Sequence, residues 1–481
     1  MAGEVGIFDF ARFHIWRGAP ATGSDVIMNV APVYDPLRDH GPGCGRDHAS
    51  TYWAATAVQT PGDDGPLRGD AEVDIAIIGG GYTGLSCAYH LAHDHGIAAV
   101  VLEANRAGWG CSGRNGGSVR PSIGKLPYQR IIRKWGLETA RRMYGEAKKA
   151  LATTRDLIAK SPVDCHLIEG GVLKVAHRPS RFRGLESEAR FLRETFGFEA
   201  EVLGADAVKA SYMDGPEVHG GLRYPDGFGV HPLRLAHGML ALSRAAGATV
   251  YTASPVTGWE KEHGWHFLTT PGGRLRARAV VIATNGYTPE RLHPCISKRL
   301  LPVLSHIIVT RPLTAEEVAA CNYKTPIPVI DTRNINQYYR LLPDRRLLFG
   351  SRGALTDSDA SRTRQRAFLR DRLGTKFPPL RDISIDFDWN GFVCLSFDWI
   401  PRIHQVEDDP TIHYALAYGG GGLAFSLQAG RRLAARLVDH RGDEPAIPIT
   451  TTPLPRFPFA AFRRIGQQVA IAYLQLKDNT G

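Results

Sequence analysis

The stretch from Val73 to Gly117 constrains the fold of this chain more than any other. Val73, Ile75, Ile77 and Ile78 make an apolar run of strand length, and Gly79-x-Gly81-x-x-Gly84 follows without a gap. Leu85, Ala88, Tyr89 and Leu91 then recur at helical spacing, and Ala98 to Leu102 reads as a second buried strand closed by Glu103. Each glycine has a mechanical duty: Gly79 makes the tight turn, Gly81 lets backbone approach a pyrophosphate, and Gly84 lets helix and strand pack closely. The helix N-terminus offers N–H groups and a positive dipole end to the phosphates. Glu103, 19 residues after Gly84, stands where an acid accepts hydrogen bonds from a ribose. A glycine triplet alone is a weak signal. Strand, glycines, helix, second strand and terminal acid in this order predict a Rossmann-like dinucleotide-binding unit.

At 481 residues the chain is long enough for about two to three domains and a large core. A formal charge of +10 suits an anionic ligand, but no lysine/arginine block marks nucleic-acid binding. The seven cysteines are scattered and form no C-x-x-C pair, which argues against a disulfide framework and a metal site and for a reducing, cytoplasmic setting. Glu4 and Asp9 interrupt the N-terminus, so no secretory signal is expected, and no apolar run is long enough for a membrane span.

Residues 1–70 read as an N-terminal packing arm, with Phe8, Phe10, Phe13, Ile15 and Trp16 near its start and Thr51-Tyr-Trp-Ala-Ala-Thr-Ala its most structured part. Helices are expected over Tyr128–Leu137 and Glu138–Lys160, around Phe182–Phe196 and up to Leu242. Thr249–Val256 reads as a strand, and Ala279-Val-Val-Ile-Ala-Thr-Asn-Gly as a buried strand returning to the nucleotide sheet. Alternating patterns at Ser305–Thr310, Gln337–Leu342 and Arg346–Arg352 predict antiparallel strands of a separate sheet. A last strand, Thr411–Tyr418, runs into Gly419-Gly-Gly-Gly and a helix from Leu423 to about Val438. The tail, with Phe457 to Leu474, reads as a helix covering core.

Five of these landmarks together resemble the FAD-dependent D-amino acid oxidase superfamily, and within it the gamma-glutamylputrescine oxidoreductase-like amine oxidases. They are Gly79-Gly-Gly-Tyr-Thr-Gly-Leu-Ser, Gly110-Cys-Ser-Gly-Arg-Asn-Gly-Gly, Ala283-Thr-Asn-Gly-Tyr-Thr, Trp389-Asn-Gly with Phe397-Asp-Trp-Ile-Pro, and the late glycine turn. The resemblance runs from about Ser50 to Asp478. It implies an α/β fold: a Rossmann-like FAD-binding domain, discontinuous in sequence (71–164, 225–300 and 389–445), and a mixed, largely antiparallel substrate domain (165–224 and 301–388). Residues 446–481 form a C-terminal tail. The resemblance places the ADP half of a non-covalent FAD on Gly79, Gly81, Tyr82, Thr83, Gly84, Glu103 and Ala104, with Val256 alongside. The ribityl chain and flavin fall to Ser112, Gly113, Arg114, Asn115, Gly116, Gly117, Asn285 and Gly286. Gly420, Gly421, Gly422 and Leu423 would aim N–H groups at the flavin N1–C2 carbonyl, where reduction places negative charge. Gly421 stands where relatives usually carry histidine.

The implied reaction takes a hydride from the carbon beside a substrate nitrogen to flavin N5, the imine then hydrolysing; the protein supplies orientation, desolvation and charge. No obligatory base is needed for a neutral amine. His306, centred in an apolar strand, is the candidate polar group facing substrate, with core packing as its bland alternative. Amino-acid-oxidising relatives clamp the substrate carboxylate with an arginine where Leu342 stands here. Arg340, two residues earlier on the same strand face, is expected either to hold an anion or to pair with a surface carboxylate. Of Tyr338 and Tyr339 only one can face a cavity; Tyr338 is the candidate. Arg120 falls where sarcosine-oxidising relatives place an active-site arginine. Their flavin-linking cysteine has Cys394 as its neighbour here, read as a free buried thiol, and Lys298 is the lysine nearest their oxygen-activating one. The expected partners are a small amine and O2 or another electron acceptor. An amino-acid oxidase or dehydrogenase, and a flavoprotein with a regulatory role, are the alternatives.

Overall fold

The computed structural model describes residues 34–57 and 60–480; the aromatic leader from Phe8 to Trp16 lies outside them. The strand–glycine–helix–strand unit forms as read. Ala71–Ile78 is followed by the helix Tyr82–His95, and Val100–Leu102 returns parallel to the first strand from Ala76↔Val100 to Ile78↔Leu102. On the other side of Ala71–Ile78 lies Gly273–Ile282, also parallel, then Ile412–Leu416. Thr249–Tyr251 extends the sheet beyond Val100–Leu102, and Arg402–Gln405 closes the opposite edge antiparallel. Strands from widely separated stretches meet here because each is apolar on both faces: Ile77, Val101 and Val281 are all fully buried, and only a covered parallel sheet buries such runs.

The helix Leu423–Leu437 packs directly on Tyr82–His95. Gly430 makes the close approach possible, since a Cβ there would stand 2.5 Å from the Thr83 carbonyl oxygen. Ser86 Oγ donates to the Leu427 carbonyl at 2.7 Å across the same contact. The helices Tyr128–Trp135 and Leu137–Lys160 are separated by Gly136, at φ +86°.

A second sheet of eight strands runs in the order Ile385–Leu395, Leu301–Thr310, Leu347–Arg352, Tyr338–Leu341, Val329–Asp331, Val172–Val175, Gly221–Tyr224, Glu201–Leu203. Its pairs are antiparallel except Val329–Asp331 with Val172–Val175. The helix Asp359–Lys376 buries Leu369 and Leu373 against one face, with Ile308, Tyr339 and Phe349. The bridge Leu395↔Tyr418 links the two sheets.

Two expectations are corrected. Ile385–Leu395 pairs with Leu301–Thr310 from Leu301↔Leu395 onward, so residues 389–395 belong to the second sheet and the nucleotide stretch expected from 389 begins after them. The tail helix, Arg463–Thr480, covers little core: Ile465, Val469, Tyr473 and Leu476 are 54–64% exposed. Polar anchors hold it instead. Arg463 donates to the Leu300 carbonyl at 2.7 Å, Arg464 pairs with Asp35 at 2.7 Å, and Asp478 accepts the Asn334 and Ile335 N–H groups at 2.8 and 3.0 Å. Among the described residues no helix is long and apolar enough to cross a membrane.

Candidate functional site

A cavity of about 750 Å3 lies between the C-terminal ends of the nucleotide-sheet strands and the second sheet. At one end, Gly79 takes φ +108° and a Cβ at Gly81 would stand 2.9 Å from Ser112 Oγ, so only glycines leave this backbone open to a ligand. Glu103 lies against the turn. Its Oε2 accepts the Gly80 N–H at 2.7 Å and its Oε1 the Asn105 N–H at 3.0 Å, while burial raises its pKa. Lone pairs remain on both oxygens for a ribose. Tyr82, Thr83, Ala104 and Val256 complete this end.

Gly84 and Gly113 do not face the cavity. A Cβ on Gly84 would meet the Gly79 carbonyl oxygen at 1.9 Å and one on Gly113 would meet that of Gly108 at 2.5 Å, so both back the turns rather than line them.

The loop Ser112–Gly117 forms the middle of the wall. Asn115 folds it: Nδ2 donates to the carbonyls of Cys111 and Ser112 at 3.1 and 3.0 Å, and Oδ1 accepts the Gly117 N–H at 2.9 Å. Arg114 also lines the cavity, its guanidinium held 4.3 Å from the Trp109 ring and its Nε donating to the Trp109 carbonyl. Asn285, at φ +42°, accepts the Ala417 N–H at 3.0 Å and so ties this wall, with Gly286, to the late glycine turn.

At the far end, Gly420, Gly421, Gly422 and Leu423 line the cavity opposite Tyr338, Ser305 and Ile307. The Tyr338 hydroxyl and Ser305 Oγ are 2.8 Å apart, and burial pushes the phenol up to about 12. Here three cations converge: Arg120, Lys125 and Arg352. Arg352 donates to the Gly419 carbonyl at 3.2 Å; Arg120 lies near enough to Glu188 to help lower that carboxyl, whereas no ion pair among the described residues holds Lys125 or Arg352. The proximity of Arg352, then burial and Arg120, holds the Lys125 ammonium well below its ordinary pKa.

Of the candidate substrate-facing residues, Tyr338 and Arg120 line this chamber and two do not. His306 alternates with Ser305 and Ile307, so its ring lies on the opposite sheet face, buried 3.9 Å from Asp388, and burial lowers its pKa to about 4. Arg340 shares a strand face with Tyr338 but sits under the cavity wall. Its Nη2 donates to the Val230 carbonyl at 2.8 Å and its guanidinium lies 4.9 Å from the Trp53 ring. It holds no carboxylate in an ion pair, and burial lowers it to about 10. Trp53 in turn donates to the Asn115 carbonyl at 2.9 Å, so the arm supports the loop from behind.

The sequence reading missed Lys125 and Arg352. Lys298 is absent from the cavity lining, at φ +63° in a turn. Parity held a signal for Arg352, since it stands two residues after Gly350, the residue that pairs with Tyr338, and so on the same face. Lys125, in an irregular loop, had none. Cys394 is buried outside the cavity, and burial pushes its thiol up to about 12.

The FAD-dependent oxidoreductase (DAO) family matches residues 74–436. Gamma-glutamylputrescine oxidoreductase of Escherichia coli (strain K12) is 31% identical over 447 residues, 90% of this chain and 99% of the relative. Among solved structures, glycine oxidase from Geobacillus kaustophilus superposes with a TM-score of 0.66 at 20% identity, over 81% of this chain and 100% of that one. L-proline dehydrogenase from P. horikoshii does so at 0.64 and 17%, over 79% and 96%. With two separated glycine turns walling one cavity and three-quarters of the chain inside the match, this chain belongs to the DAO family of FAD-dependent oxidoreductases and is an enzyme that uses FAD.

Proposed function

We propose that the enzyme oxidises the CH–NH bond of a primary or secondary amine that also carries an anionic group, gamma-glutamylputrescine being the model for that class. The observation that carries this reading is the cavity that joins the glycine cradle around Gly79 to a chamber where Arg120, Lys125 and Arg352 crowd together and, among the described residues, neither Lys125 nor Arg352 has an ion-pair partner. Half-buried like charges crowded at one end of a cavity favour a ligand that supplies the opposite charge. Similarity to the Escherichia coli relative supports the amine class.

In this reading the nucleotide sheet is the FAD-binding domain and the second sheet the substrate domain. Gly79, Gly81 and Glu103 hold the ADP half without a covalent bond, the loop Ser112–Gly117 holds the middle of the cofactor, and Gly420–Leu423 lie beside the flavin. FAD, when bound, supplies the hydride acceptor. The chain does the rest. Tyr338 and Ser305 form one wall against the substrate, and Arg352 with Arg120 hold its anionic group. The cations disfavour an ammonium in the chamber, so the amine enters reaction as its free base. Lys125 Nζ, held low, is the atom that can take the amine's proton. O2 or another acceptor completes turnover, in a reducing cytoplasm that suits seven free cysteines.

The test is anaerobic mixing of the purified yellow protein with amines, with and without a carboxylate. Bleaching of the flavin by carboxylate-bearing amines at lower concentration than by their neutral analogues is expected. Arg352→Met is expected to raise KM for the carboxylate-bearing amine about tenfold or more, as loss of a charge-assisted hydrogen bond does, and to leave KM for the neutral analogue nearly unchanged. Equal bleaching by both classes overturns the anionic part of the reading, and no bleaching by any amine overturns the rest.

A further inference from the structure

Residues 40–44 line the same cavity as the glycine cradle, although they precede the residues matched by the family. They span from one rim to the other. On the first rim, the Tyr34 hydroxyl donates to the Tyr287 carbonyl at 2.9 Å and the Glu290 N–H donates to the Pro36 carbonyl at 2.9 Å. On the second, the Gly45 N–H donates to the Ala104 carbonyl at 2.9 Å, directly beside Glu103. Asn105, fully buried, accepts the Arg46 N–H on Oδ1 at 2.8 Å and donates from Nδ2 to the Pro42 carbonyl at 3.4 Å. Cys44 Sγ reaches the Ala253 carbonyl at 3.3 Å, and the Trp109 indole donates to the Asp47 carbonyl at 2.9 Å. Between these anchors the chain turns at Gly43, φ +98°, where a Cβ would stand 2.3 Å from Arg46 Nε.

We infer that residues 40–44 are a strap over the adenosine end of the dinucleotide site, latched by Asn105, and that FAD enters and leaves only when this strap lifts. The inference rests on FAD occupying the cavity with its ADP half at Gly79–Glu103. Its anchors are specific to that end: the strap lines the cavity together with Glu103, Ala104 and Val256 and is bonded to Ala104 itself, and none of its anchors belongs to the Tyr338–Arg352 chamber. A strap fixed by these seven hydrogen bonds at two rims opens as a unit, which makes its opening a local unfolding step that gates release.

The experiment follows FAD release from the holoenzyme by the fluorescence of freed flavin after dilution. Asn105→Ala removes the latch and is expected to release FAD about tenfold faster, the factor that two lost hydrogen bonds carry, with the visible spectrum of the bound flavin unchanged. A second protein keeps the proposal decidable if that variant folds poorly. Gly45 and Ala253 face each other, a Cβ on Gly45 standing 3.2 Å from Ala253 Cβ, near the spacing a disulfide spans. Gly45→Cys with Ala253→Cys, in a Cys44→Ser chain so that the adjacent Cys44 cannot compete for the new pair, is expected to release FAD several-fold more slowly when oxidised, and at its own faster rate after reductant. Release that is unchanged by Asn105→Ala and indifferent to oxidation of the pair overturns the strap. A wild-type protein that binds no flavin would instead overturn the placement of the cofactor.

Discussion

Single atoms decide most at Gly84. A methyl group there cannot avoid the Gly79 carbonyl oxygen 1.9 Å away, and that carbonyl belongs to the turn which must present its backbone to the pyrophosphate. Gly84→Ala is therefore expected to yield protein with little or no bound flavin and a stability loss of about 1–3 kcal/mol, the cost of overpacking a close contact. Flavin-to-protein absorbance and a denaturant titration measure both; full flavin occupancy in the variant would show that the turn can yield. At the other end of the cavity, Lys125→Met is expected to move the acidic limb of kcat/KM upward in pH. The wild-type chamber holds a low-pKa group that can take the amine's proton, and the variant leaves that proton to solvent. An unaltered pH profile would return the deprotonation step to bulk water alone.

Elements were legible where a pattern was periodic, and sites where a motif was local. The apolar run into Gly79-x-Gly81-x-x-Gly84 and the strand before Asn285 carry their own spacing, so the nucleotide sheet could be read almost strand by strand. In the second sheet the strands were legible but not their sides. One residue of parity separates Ser305, in the cavity, from His306, buried behind it, and no local feature of Leu301–Thr310 says which face meets the cofactor. Arg340 misled for a related reason: its face was right, but Trp53, nearly 300 residues earlier in sequence, takes the space in front of it. The short helix Tyr52–Thr56 thus acts as a prop, with its indole on the Asn115 carbonyl and its Thr51 cap holding the Ala54 N–H. Trp53→Ala is expected to cost about 3–5 kcal/mol, as for other large buried aromatics, and to weaken flavin binding through the loop Ser112–Gly117. A denaturant midpoint unchanged within error would reduce the helix to decoration.

The whole molecule carries an acid sensitivity spread over many sites. Burial is the leading cause in lowering His48, His177, His266, His306, His404 and His413 from 6.5 to about 4. Between those pH values the unfolded chain binds more protons than the folded one, so stability falls as pH drops from 6.5 toward 4 and levels off below. Thermal midpoints should hold steady above about pH 7 and decline progressively through pH 6 and 5; a flat profile across that window would mean these imidazoles are protonated in place. Gly430, against which the motif helix rests, lies 346 residues beyond Gly84. A ribosome therefore completes most of this polypeptide before the vitamin-derived group has a finished berth. Loading must follow synthesis, and nascent or prematurely terminated chains should emerge colourless whatever the supply of riboflavin.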